Sequence, residues 1–158
     1  MIKQGLFAQL AAMKEFFVRS TRVLEEADSS FAPKEGMFTT AQQVAHVAQT
    51  IDWFVEGAFA NGGFCMDFES MDKQVRGTTS LAAAREWMER ACKNAHAVVD
   101  QHSDMDWMAP LPPGPIMGGQ PRMVIFGAMT DHSAHHRGAL TVYSRLLGKV
   151  PPMPYMDM

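Results

Sequence analysis

Apolar residues recur in this chain at helical spacing, in four segments of about twenty residues or more, with no sustained alternation of the kind that makes a strand. From about residue 2 to 27 the stripe is Leu6, Leu10, Met13, Phe17 and Leu24, with Phe7, Phe16 and Val23 beside it. Pro33 and Gly36 end it. A second helix is expected to start at Thr39 or Thr40, each followed three residues on by a glutamine (Gln42, Gln43) in a capping-box pattern, and to run to about residue 60. Its apolar stripe is Val44, Val47, Ala48, Ile51 and Val55, while Gln42, His46, Gln49 and Trp53 occupy another, more polar side. Residues 64–78 read as a loop, with Phe64, Met66 and Phe68 alternating before Gly77. Good helix formers then fill about 80 to 101, with Leu81, Trp87 or Met88, Ala91, Ala95 and Val98 as the core side. The last helix is expected from about 121 to 147, opened by Pro121 and stopped by Gly148 and Pro151.

Between the third and fourth helices, residues 103–120 carry four prolines and three glycines, which forbid a regular helix and disfavour a central strand. A loop of that length in a compact domain is commonly a lid or an interface. The economical fold is all-α: an up-and-down four-helix bundle with a long Pro/Gly-rich loop before its last helix. The 158 residues form one domain, 1–158, without a repeat or an internal boundary.

Composition removes several function classes. A net charge of -3 gives no electrostatic footprint for nucleic acid, and no Lys/Arg cluster marks a membrane surface. No run of about 18 apolar residues exists to span a bilayer. Gln9, Lys14 and Glu15 interrupt the N-terminal apolar residues, so no signal-peptide core forms and a cytoplasmic location is expected. Cys65 and Cys92 are too few for a disulfide framework and are expected to be reduced thiols.

Chemistry concentrates in the last helix, where Asp131-His132-Ser133-Ala134-His135-His136-Arg137-Gly138 holds three of the six histidines. At about 100° per residue, His132 and His136 stack on one face. They sit in the stripe of Ile125, Met129, Ala139, Tyr143 and Leu147, not on a solvated side. Two buried imidazoles need partners for their nitrogens, and one metal ion would satisfy both. A third ligand is then required, and His46 on the second helix is the best candidate. His135 lies on the same broad side and remains an alternative to His136, with a structural role the other option. His96 and His102 are expected at the surface. Asp131 and Arg137 point away from the ligand face, toward surface, ion-pair or interface roles. Gly138 costs about 1 kcal/mol within a helix, for which close helix contact would be one reason.

A late His-x-x-His-His-Arg-Gly, with Ala45-His46-Val47 on an earlier helix, resembles the DinB/YfiT-like superfamily of metal-dependent four-helix-bundle proteins. The resemblance spans nearly the whole chain. It implies a homodimer holding a divalent metal through His46, His132 and His136, with no ligand role for His135. Zinc, nickel and iron all suit such a site, since three neutral imidazoles do not choose among them. Characterised relatives include transferases and isomerases that use low-molecular-weight thiols, so the resemblance implies a small-molecule substrate and a thiol S-transferase or hydrolase-like activity. Trp53, Tyr143 and the 107–119 loop are candidates for the walls of the substrate pocket, and Gln42 or Gln49 for orienting a ligand. The competing expectation is a non-enzymatic, stress-related or dimeric binding protein whose metal is structural or absent, its surface including the Met-rich tail 151–158.

Overall fold

The computed structural model describes residues 1–156, so the last two residues of the Met-rich tail lie outside the described residues. Six α-helices follow in order among the described residues: α1 (Ile2–Thr21), α2 (Thr40–Phe59), α3 (Phe68–Arg76), α4 (Leu81–Gln101), α5 (Asp104–Met108) and α6 (Ile125–Leu146). Among the described residues there is no named strand, only an isolated bridge between Pro110 and Pro121. The four long helices are those expected, and they enclose one core. Leu6, Leu10, Met13 and Phe17 face Val44, Val47, Ala48 and Ile51, with Leu81, Met88, Ala95 and Val99 from α4 and Ile125, Met129, Leu140 and Tyr143 from α6. On α4 it is Val99, rather than Val98, that is buried.

Sequence-local chemistry fixes the ends. Thr39, not Thr40, caps α2: its hydroxyl accepts from the Gln42 N–H while the Gln42 side chain accepts from the Thr39 N–H. Ser80 caps α4 through the Ala83 N–H. The first helix stops at Thr21 rather than near 27, because Glu25 and Asp28 cap each other around a short 3-10 turn (Glu26–Asp28). The last helix begins at Ile125, after a 3-10 turn at Arg122–Val124.

Direction within the bundle follows from cross-helix contacts. Asp104, just past α4, accepts from the backbone N–H groups of Ile2 and Lys3, while Arg85 at the start of α4 donates to the Thr21 and Leu24 carbonyls, so α1 and α4 are antiparallel. Arg122 donates to the Ala58 carbonyl and Tyr143 to the Phe38 carbonyl, so α6 runs against α2. Ser29 accepts backbone N–H bonds from Ala41 and Leu81, and Phe59 stacks on His102, so α2 and α4 share both ends and run parallel. The helices therefore run up, down, down, up, with α1 and α2 across a diagonal; the bundle is the expected one, but its order departs from strict up-and-down alternation because α3 carries the chain back before α4.

Parallel neighbours need a return crossing, and that is where the segment expected as a loop, 64–78, becomes ordered. Asp67 caps the Ser70 N–H, Arg76 reaches back to Asp72 at 2.8 Å, and Val75 is fully buried, making α3 the crossover. In the Pro/Gly-rich segment, Ser103 and Asp106 form a capping box that starts α5. The chain beyond it folds back on itself, with the Leu111 N–H on the Gln120 carbonyl at 2.7 Å and the Arg122 N–H on the Ala109 carbonyl at 3.0 Å. Trp107 and Leu111 are driven into the core, so this segment plugs one end of the bundle.

Candidate metal centre

His46 comes from the first half of α2, and His132 and His136 from successive turns of α6. Because α2 and α6 are antiparallel neighbours, their facing stripes put the three rings together. Ring centroids stand 4.9 Å apart for His46 and His132, 4.9 Å for His46 and His136, and 4.5 Å for His132 and His136. One ligand nitrogen of each lies within 4.8 Å of the others. His132 Nε2 and His136 Nε2 are 3.2 Å apart. Two nitrogens each about 2.0–2.1 Å from one tetrahedral zinc lie about 3.4 Å from each other, so this pair already has the span of a chelate.

Charge and hydrogen bonding agree with that geometry. Burial, followed by the neighbouring imidazoles, pushes His132 down to about 4 and His136 down to about 3. Burial also lowers His46. All three rings are neutral near pH 7, with lone pairs available to a cation. His136 Nδ1 meets Gln43 Oε1 at 2.5 Å, whereas His132 Nδ1 is buried with no partner among the described residues. The residues fit a divalent transition metal.

A cleft of about 390 Å³ opens beside the cluster, walled by Phe38, Trp53, Phe54, Phe68 and Met71, with His46 and His132 at its inner surface. Trp53 lies where the sequence placed it. The 107–119 loop does not reach this wall, since it is occupied in sealing the bundle end; α3 supplies Phe68, Met71 and Asp72 instead. Tyr143 is not part of the wall either, being buried behind the histidines against Gln43. Gln42 is used by the α2 cap and the Arg76 carbonyl, and Gln49 by Met71 and Gln74.

His135 is exposed, edge-on to His136 at 4.9 Å, and is outside the cluster. His96 is exposed and stacks on Phe7, whereas His102 is half-buried, flat on Phe59 at 3.8 Å. Arg137 turns away to the rings of Phe16 and Tyr155. No close packing explains Gly138, because a Cβ there would meet nothing within 4 Å. Gln43 is the residue that sequence reasoning passed over. Its signal was a glutamine on the same side as His46 one turn earlier, hidden by its second role as a possible cap partner of Thr40.

A sequence model described as the DinB superfamily matches residues 9–140. No curated protein matches the chain. Among solved structures it is similar to YfiT from Bacillus subtilis, described as "a probable metal-dependent hydrolase with an unusual four-helix bundle topology". That similarity has a TM-score of 0.70 at 15% identity, over 93% of this chain and 88% of that one, and at this identity it speaks for the fold.

Proposed function

The chain belongs to the DinB superfamily, and from that premise we propose that it is a metal-dependent enzyme in which His46, His132 and His136 hold a divalent ion. The observation that carries this reading is the convergence of three neutral imidazoles from two helices, with His46 and His132 at the inner wall of an apolar cleft. Three protein ligands are the number that leaves a coordination position for a reactant. When bound, the metal would supply Lewis acidity, lowering the pKa of a water or thiol so that a nucleophile forms near neutral pH.

The protein's own residues do the rest. Phe38, Trp53, Phe54 and Phe68 exclude water and favour an apolar body of the substrate, and their rings stack or pack against it. Asp72 is the carboxylate lining the cleft, and Arg76 Nε engages it at 2.8 Å. A thiol starts from a pKa near 8.5 and a water from about 15.7, so less acidification is asked of the metal to form a thiolate, and a cleft whose carboxylate is already engaged favours transfer from a small-molecule thiol to an electrophilic substrate. The second reading, hydrolysis, takes its support from the description of YfiT and would recruit Asp72 as base. Zinc, nickel and iron are equally compatible with the donor set. A homodimer belongs to the same proposal, and sedimentation of the purified protein tests it.

The test is metal analysis of protein made without a histidine tag, wild type beside His46→Ala, His132→Ala and His136→Ala. About one equivalent in the wild type and almost none in the variants is expected. Equal, near-zero metal in all four would end the proposal. A screen of thiols against electrophiles, with water as the competing nucleophile, then separates transfer from hydrolysis.

A further inference from the structure

Behind the histidines a chain of hydrogen bonds runs from the backbone to the cluster. Tyr143 Oη lies 2.8 Å from the Phe38 carbonyl, Gln43 Nε2 lies 3.2 Å from Tyr143 Oη, and Gln43 Oε1 lies 2.5 Å from His136 Nδ1. Gln43 and Tyr143 are both buried, so water does not compete. The polarity of the chain is fixed at its far end, because a carbonyl oxygen only accepts. Tyr143 must therefore donate its hydroxyl proton to Phe38. Its oxygen is left to accept from the Gln43 amide, which turns the Gln43 carbonyl toward His136. That carbonyl can be met only by a proton on Nδ1.

We infer that Gln43 and Tyr143 are positioning residues that hold His136 in its Nδ1–H tautomer and thereby present a bare Nε2 to the metal position. The tautomer follows from the hydrogen bonds alone, while its value for metal binding rests on the function proposed above. In a neutral imidazole only one nitrogen carries the proton, so a backbone carbonyl three hydrogen bonds away decides which nitrogen of His136 is free. Nε2 is also the atom that stands 3.2 Å from His132 Nε2, within the cluster. His132 has no such support, since its Nδ1 has no partner among the described residues. One ligand of the cluster is thus preset and another is left to adjust. Outer partners of metal-bound histidines commonly control affinity by 10–100-fold.

The test uses histidine labelled with nitrogen-15 in the metal-free protein, together with zinc titration of the same samples. Wild type should show His136 protonated at Nδ1. Gln43→Leu should shift it toward a mixture with the Nε2–H form and weaken zinc binding about 10–100-fold. Gln43→Glu keeps an acceptor facing His136 and should retain both the tautomer and zinc affinity, even if Gln43→Leu folds poorly. Tyr143→Phe frees the amide to rotate and should give a smaller loss in the same direction. An unchanged tautomer and a zinc affinity within twofold in both Gln43→Leu and Tyr143→Phe would overturn the positioning role, with the metal site itself intact. A wild type that holds the Nδ1–H tautomer yet takes up no zinc would instead overturn the metal reading.

Discussion

At the plugged end of the bundle, His102 lies flat on Phe59 with ring centroids 3.8 Å apart, beside Trp107, whose own ring meets Phe126 edge-on. In the cleft, His46 and His132 sit among Phe38, Trp53, Phe54 and Phe68, with the His136 ring against both of them. Both regions mix imidazole with aromatic rings, yet only one has the makings of a site. His102 spends its ring face on packing, and its Nδ1 looks toward Asp106 at 3.9 Å. The cleft histidines meet nitrogen to nitrogen, whereas an unmet buried polar atom marks neither region out, since Trp107 Nε1 and His132 Nδ1 both lack a partner among the described residues. Residue composition does not separate a seal from a site; convergence of lone pairs does.

The largest effect should come from the seal. Trp107→Ala removes a fully buried ring, at a cost of about 3–5 kcal/mol. With about 2–4 °C per kcal/mol for a chain of this size, the thermal midpoint should fall by roughly 10 °C. Zinc affinity of the folded variant should be unchanged, and a parallel loss of zinc would erase the distinction between the two regions.

His132→Leu should behave in the opposite way. It removes a buried imidazole with an orphaned nitrogen and keeps an apolar side chain in the α6 stripe, so stability without metal should hold or rise. Zinc affinity should fall at least 100-fold, and thermal melts with and without zinc read both quantities. A stabilising effect of zinc that survives in His132→Leu would contradict the assignment.

Acid sharpens the contrast further. The unfolded chain takes protons on these histidines near 6.5, whereas the folded protein resists until about 4 at His132 and about 3 at His136. Their stability contribution is therefore complete above pH 6.5 and is lost progressively as pH falls from 6.5 toward 3. Urea unfolding of the metal-free protein between pH 7 and 4 should show this decline, and a His132→Leu, His136→Leu double variant should show less of it. The smallest effect belongs to His102→Gln, a half-exposed stacking position, where stability should change by about 0.5 kcal/mol or less and zinc affinity not at all.

Much of this was legible in the sequence for stated reasons. The four long helices carry 3.6-residue stripes, and the threonine–glutamine spacing at 39–43 marks the start of α2 with capping chemistry. His132 and His136 share a face because helical geometry requires it. What could not be read there is long-range. Alternating Phe64, Met66 and Phe68 masked α3, whose ordering follows from the need to connect parallel α2 and α4. The Pro/Gly-rich segment looked like a lid, but whether Trp107 and Leu111 insert into the core or cover a pocket depends on which bundle end they reach. Gln43 and Tyr143 are separated by a hundred residues, and their bond to each other exists only once α2 and α6 pack antiparallel.

The most direct measurement is X-ray absorption on zinc-loaded, untagged protein, compared with His46→Ala and His136→Ala. Expected in the wild type are three imidazole nitrogens at about 2.0–2.1 Å from the metal, falling to two in each variant that still retains zinc. A first shell with fewer than three imidazoles in the wild type, or one unchanged by either substitution, would contradict the convergence of α2 and α6 on a single ion.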